Sequence, residues 1–347
     1  MEYALRHGML AWLPENVGRD AKREYAASAL SGIRTLVRVS TAFTSAGVRA
    51  AWFKGPVLSA WLYGEATARR FGDLDVLISR HDRDRAAAVL ADLGYTRAIP
   101  GRAGDVIFAG LGAWPFDRPG DIRIDLHWRL AADRFPEVVR VDDAVRDAAV
   151  ARVAGYDVLT LRPAHAAALV LLHAAKHLWY ALELPFSIAW LMRRADVDWR
   201  EVHELSARTG GIRAASAGLR LAATLFDAAI PAPFAPAAME RESAELCRLA
   251  DVALALPPNT FPDRTLESRL HKLACDSWRR RIAYDMRRLI EPTRAEWDWV
   301  QLPDALAPLY APARVVRLLV AAFSAPRRGS ARAVRSPADR SSAGRAV

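Results

Sequence analysis

Residues 53–78 read FKGPVLSAWLYGEATARRFGDLDVLI, and two features of this stretch decide how the chain is read. The first is Lys54-Gly55-Pro56, a turn into a helix, since proline is at home in a first helical turn where its missing N–H has no partner to lose. The second is Asp73-Leu74-Asp75, which opens an apolar run ending at Ile78. In an extended strand alternate side chains share a face, so Asp73 and Asp75 point the same way. Two carboxylates side by side repel each other. A divalent cation between them relieves the repulsion, and hard oxygen ligands suit magnesium.

Upstream, Leu30, Ile33, Val37 and Phe43 recur at helical spacing and predict a long first helix over 20–46, stopped by Gly47. A short strand follows at 48–53, then the helix opened by Pro56 and running to about Tyr63. Residues 64–72 form a loop carrying Arg69 and Arg70. After the strand 73–78, the pattern predicts a helix over 81–93 closed by Gly94, and strands at 95–99, 105–111 and 121–128. The last two are joined through Asp117-Arg118-Pro119-Gly120, a strong turn signal. The strand 122–128 alternates most clearly: Ile122, Ile124 and Leu126 on one face, Arg123, Asp125 and His127 on the other. Asp125 therefore emerges on the open face, where it can complete a triad with Asp73 and Asp75. Beyond about residue 135 strands are hard to find. Helical patterns cover 164–182, 187–192, 199–209, 213–228, 237–255, 267–290 and 312–323.

Composition narrows the class. At 347 residues, 52% of them hydrophobic, the chain is long enough for two domains and has apolar residues ample for sizeable cores. Cys247 and Cys275 are the only cysteines, which excludes a disulfide framework or a cysteine-rich zinc site and fits a reducing cytoplasm. The first twenty residues lack the basic and apolar segments of a signal peptide. The most apolar later stretch, 164–184, is interrupted by His173, Lys176, His177 and Glu183, so it reads as a buried helix and no membrane span is expected. Of the net charge of +10, half lies in the tail 327–347, where six arginines face one aspartate. That tail, rich in Ser, Ala, Gly and Pro, is predicted to be disordered and is the one segment that offers itself to an anionic partner. A second excess, five arginines against one aspartate, lies in 278–288. The remaining body is nearly neutral, which argues against a nucleic-acid groove along the core.

Three acidic side chains on adjacent strands can hold two magnesium ions, one lowering the pKa of an attacking hydroxyl and the other stabilising a departing pyrophosphate. Gly55 lets the backbone approach a triphosphate, and the helix behind it offers N–H groups to phosphate. Lys54, Arg69 and Arg70 are candidates for neutralising phosphate charge. His127 shares the Asp125 face and is a candidate substrate contact. His173 and His177 lie one helical turn apart, a spacing compatible with zinc. The Ala-Ala-Lys between them lacks the glutamate of a metalloprotease helix, and packing is the expected role. Trp179, Trp190 and Trp199 are expected in the helical core.

Taken in order, Lys54-Gly55, the arginines Arg69 and Arg70, Asp73-Leu74-Asp75-Val76-Leu77, Leu93-Gly94-Tyr95 and Ile124-Asp125-Leu126-His127-Trp128 resemble the bacterial uncharacterised nucleotidyltransferase family of the DNA polymerase beta superfamily. The motif region covers about residues 50–130, and His173, His177 and Asp198-Trp199 extend a weaker similarity to about 210. The resemblance implies an α+β fold, with a small mixed or antiparallel sheet flanked by helices and a mainly helical C-terminal region. It divides the chain into an N-terminal helical segment (1–47), a nucleotidyltransferase-like catalytic domain (48–135), a helical substrate or support region (136–324) and the basic tail (325–347). It implies magnesium-dependent transfer of a nucleoside monophosphate from an NTP such as ATP to a small-molecule or peptide acceptor, with Asp73, Asp75 and Asp125 as metal ligands. The chain departs from the superfamily at the turn, usually Gly-Gly or Gly-Ser but here Gly55-Pro56, and in the eighteen positions from Gly55 to Asp73. Two other readings compete. One is a nucleotide- or partner-binding module without transfer activity, which the altered turn suggests. The other is a glycosyltransferase using Asp73-Leu74-Asp75, which leaves Asp125 on its regular strand unexplained.

Overall fold

Alternation in the apolar strands generates two cores, one on each side of a single sheet. In the computed structural model, which describes residues 8–14, 16–130, 139–257 and 260–324, seven strands form one mixed sheet in the order β3-β4-β5-β2-β1-β7-β6. They are β1 (Ala50–Trp52), β2 (Asp73–Ile78), β3 (Thr96–Arg97), β4 (Ala113–Asp117), β5 (Arg123–His127), β6 (Ala149–Val153) and β7 (Tyr156–Thr160). The pairs β2/β5 and β1/β7 are parallel and the rest antiparallel. Trp52, Leu74, Val76, Ile78, Ile124 and Leu126 enter one core, and Ala51, Phe53 and Leu77 enter the other. Even-numbered residues of β2 thus face one side and odd-numbered residues face the other.

The first core is covered by α1 (Arg19–Ser45), α3 (Arg83–Asp92) and α4 (Gly101–Ile107). Ile33, Leu36, Val39 and Phe43 of α1 repeat every three or four residues and are buried, which is why so long a helix forms there. Helix α2 (Gly55–Tyr63) and a helical region cover the other face. That region comprises α5 (Val141–Arg146), α6 (Pro163–Lys176), α7 (Glu183–Met192), α8 (Trp199–Thr209), α9 (Ile212–Phe226), α10 (Ala235–Ala238), α11 (Arg241–Leu254) and α12 (Arg264–Ala274). Helix α6 is buried nearly all round, as expected of its uninterrupted apolar run. After α13 (Trp278–Ile290) and α14 (Arg294–Trp299), the chain returns to the first core, where Ala307 and Tyr310 are buried, and ends in α15 (Tyr310–Ser324).

The expected fold class holds, and β2, α2 and α8 fall where the sequence puts them. Four local expectations are corrected. Residues 105–111 are not a strand: Ala103, Gly104 and Ile107 form the buried side of α4, and the strand lies further on, in β4. Gly104 is required there, because a Cβ would stand 2.2 Å from the carbonyl oxygen of Ile99. Strands do not cease at residue 135, since the hairpin β6–β7 extends the sheet past β1. Its two-residue turn is Ala154-Gly155, both at positive φ, and alanine there hides the usual Asn-Gly or Asp-Gly signal. The helix expected over 267–290 is two helices, broken where the Asp276 carboxylate turns away to accept the Ile212 and Arg213 N–H groups at the start of α9, at 3.1 and 3.0 Å. The helix expected over 164–182 ends at Lys176, where Leu178 and Trp179 both adopt left-handed backbone. The tail expected to be disordered lies outside the described residues.

The C-terminal helices are locked by a buried charge cluster. Glu296, with no exposed surface, accepts from Arg314 at 3.2 Å and Arg317 at 2.5 Å, and its carboxylate also takes the Thr293 N–H at 2.7 Å. Removing one partner of a buried pair strands the other charge, so Glu296→Ala is expected to lower unfolding free energy by roughly 3–5 kcal/mol. Urea denaturation monitored by tryptophan fluorescence checks this.

Candidate active site

The site grows from the register of two parallel strands. Residues 73–77 of β2 pair in step with residues 123–127 of β5, so Asp75 lies directly opposite Asp125, and Leu77 opposite His127. Odd-numbered positions of both strands share the face toward α2 and the helical region. Asp73, Asp75, Asp125 and His127 therefore stand together on that face, at the mouth left by the start of α2.

Lys54, the residue before α2, sends its Nζ to Asp75 Oδ1 at 2.7 Å. Gly55 follows at φ +52°, a left-handed conformation that glycine adopts without strain and that swings the chain from β1 into the helix. The end of β1 is tied to the same residue, as the Phe53 N–H donates to the Asp75 carbonyl at 3.3 Å. His127 Nε2 donates to the same Asp75 Oδ1 at 2.9 Å, and its ring packs edge-on against Phe53.

Asp75 is only 4% exposed. Burial opposes its ionisation, but the Lys54 charge and the His127 and Lys54 hydrogen bonds outweigh that and hold its carboxyl well below the usual range. Asp125 Oδ1 accepts no such hydrogen bonds, and the lowering pull of the His127 and Lys54 charges on its carboxyl is outweighed. Burial first, then the Asp75 charge, push its carboxyl up to about 6. Its Oδ1 is a buried oxygen without a hydrogen-bond partner. Asp73 is likewise raised, by burial and by Asp75.

Asp75, Asp125 and His127 each offer a donor atom within 4.8 Å of the others, a group able to hold a metal ion. The donor chemistry fits a divalent cation, because a buried acceptor without a donor, beside a second carboxylate, is the arrangement that a cation satisfies. Asp73 lies on the same face, one strand repeat away, outside that group of three. His127, expected from the sequence as a candidate substrate contact, is hydrogen-bonded to Asp75.

Arg70 is exposed on the loop before β2. Arg69 is mostly buried: its Nε pairs with Glu183 of α7, and its backbone N–H donates to Ser59 Oγ at 3.0 Å. With Lys54 and His173 it lines a small cavity walled by Phe53, Leu58, Leu169 and Leu184. Burial, and then the nearby Lys54 charge, hold His173 well below the ordinary imidazole range, so it is neutral there. His173 and His177 stack edge to face at 4.5 Å, as packing residues do. Trp179 is buried, while Trp190 packs with Trp12, Tyr63 and Phe186. The sequence reading missed Glu183 and the meeting of His173 with Lys54. A buried-facing arginine predicts an acid somewhere, but not which one.

The model of the family described as "Uncharacterised nucleotidyltransferase" matches residues 4–227, well over half of the chain, and the chain belongs to that family. It is an enzyme of the nucleotidyltransferase class. Among curated proteins no relative matches. Among solved structures, the solution structure of the antibiotic-resistance factor ANT(2'')-Ia is similar over 50% of this chain and 88% of its own, at 16% identity and a TM-score of 0.34. That likeness is too loose to bear on the chemistry here.

The raised Asp125 carboxyl has a signed consequence. Below about pH 4 the group is protonated both folded and unfolded and contributes nothing. As pH rises through about 6 the folded protein must hold a buried charge that the unfolded chain holds freely, and stability falls. In EDTA, Asp125→Asn is therefore expected to match the wild type near pH 4 and to exceed it by roughly 2–3 kcal/mol at pH 8. Urea titrations at the two pH values read this; a difference independent of pH contradicts it.

Proposed function

We propose that this chain transfers a nucleoside monophosphate from an NTP to a small-molecule or peptide acceptor, with magnesium held by Asp75 and Asp125 and a third carboxylate, Asp73, beside them. The observation that carries this is the buried, unpartnered Asp125 Oδ1 set opposite Asp75 in strand register. Divalent cations bound there supply charge neutralisation for the phosphates and for pyrophosphate as it leaves. Carboxylate oxygens suit magnesium better than the imidazole of His127 does.

The residues then divide the work. Asp125, raised toward neutrality, accepts the proton of the acceptor hydroxyl as the oxygen attacks the α-phosphorus. His127 fixes the Asp75 carboxylate. Lys54, now on Asp75, would exchange that bond for one to a nucleotide phosphate. Gly55 keeps the start of α2 clear of side chains, and exposed Arg70 is free to meet the outer phosphates. Arg69, engaged by Glu183, braces the loop that carries Arg70. The two free cysteines agree with a reducing, cytoplasmic setting, and among the described residues no helix is long and apolar enough to cross a membrane.

The Lys54–Asp75 ion pair favours one second reading. If the lysine stays on Asp75, the site binds nucleotide without transferring it. Isothermal titration with ATP, CTP, GTP and UTP plus magnesium is expected to show one preferred nucleotide, bound at least tenfold more weakly (about 1.4 kcal/mol) by Asp75→Asn. Binding of none of the four, or identical binding by Asp75→Asn, would sink the proposal. Nucleotide binding that survives in Asp125→Asn, with no pyrophosphate release by the wild type against a panel of hydroxyl and amine acceptors, supports the second reading.

A further inference from the structure

Helix α15 is built inside out. Its charged residues Arg314 and Arg317 turn inward to the buried Glu296, while Val316, Leu319, Val320 and Phe323, spaced three and four apart, face outward. Phe323 is 86% exposed and Leu319 53%. Helix α13, which packs against α15, repeats the pattern: Trp278, Ile282, Met286 and Leu289 form an exposed stripe along one side. More than half of the large apolar side chains that stand exposed among the described residues fall between Trp278 and Phe323. Isolated exposed leucines need no explanation, but two adjoining helical stripes do.

Charge indicates what covers them. Arg279 and Arg281 are exposed on α13, and Arg279 lies over the Trp278 ring at 5.6 Å. Arg281 and Arg288 also line a cleft of about 730 Å³ with Arg264, Arg269 and Lys272, in which Glu245 is the one acid. The sequence continues from α15 into the arginine-rich tail, and this tail and the 278–288 segment together hold nearly all of the net charge of +10. Positive charge is thus concentrated on α13, beside its apolar stripe, and in the sequence that follows α15. The tail itself has only Val334 and Val347 as large apolar residues, too few to cover either stripe. A two-fold contact between copies would set the α13 arginines against their own kind.

We infer that the α13–α15 face docks on the surface of an anionic phospholipid bilayer. The valine, leucine, phenylalanine and tryptophan side chains enter the boundary between headgroups and acyl chains, and the arginines of α13 and the cleft meet the phosphates. Tryptophan at the edge of the stripe is the residue type that membrane interfaces favour. Such a contact is peripheral and requires no spanning helix.

The test is flotation of the full chain with vesicles of phosphatidylglycerol and phosphatidylcholine in equal parts, and with vesicles of phosphatidylcholine alone. The wild type is expected to float with the first and not the second, and to be released as salt rises. Leu319→Glu with Phe323→Glu changes two side chains that already face water, so folding is preserved, which circular dichroism checks. This pair is expected to lower the bound fraction at least about tenfold, and Arg279→Gln with Arg281→Gln several-fold. No binding to anionic vesicles overturns the inference. So does binding that the Leu319/Phe323 pair leaves intact, which would be charge attraction alone. A dimer in light scattering that this pair dissociates, with no vesicle binding, would assign the face to a second copy.

Discussion

The site depends on a repulsion that the sheet imposes. Parallel pairing of β2 and β5 places Asp75 and Asp125 opposite each other, and both are largely withdrawn from water. The protein supplies Asp75 with two donors, Lys54 and His127, and leaves the Asp125 oxygen with none. Separating the two carboxyls in this way splits their protonation behaviour, with one fixed as an anion and the other titrating near neutrality.

Together with α2, the helical region meets the carboxylate face of the sheet through α6 and α7. Because the odd-numbered face of β2 looks toward it, the carboxylates open onto α2, α6 and α7 rather than onto α1. Arg69 and Glu183 bond the loop before β2 to the first turn of α7. Neutral His173 lets α6 approach Lys54 without adding a second positive charge. The cavity between the sheet and these helices is therefore lined by uncharged and paired groups.

What was legible in the sequence was whatever local periodicity encodes. Asp73-Leu74-Asp75 and the alternation from Ile122 to Trp128 identified the central strands and the face carrying the carboxylates, and Pro56 placed the start of α2. The parallel register could not be read, because nothing local says whether Asp125 falls opposite Asp75 or Asp73. Hairpin β6–β7 escaped because Ala154 occupies a left-handed position where alanine is rare. The short α4 is hidden in the sequence because its seven residues are too few to establish a helical period. The pairing of Arg69 with Glu183 spans 114 residues, beyond any local signal.

The crossover from β2 to β5 has an evolutionary corollary. It runs from Ser79 to Ile122 and carries α3, β3, α4 and β4, so its length is not what holds Asp125 in place. Phase within β5 is. A residue gained or lost inside that strand would turn Asp125 and His127 into the α1 core and bring Ile124 and Leu126 out. Whole loops or helices added before it would leave the carboxylates where they stand. The crossover, whose helices cover the face away from the carboxylates, can therefore change in length without moving them.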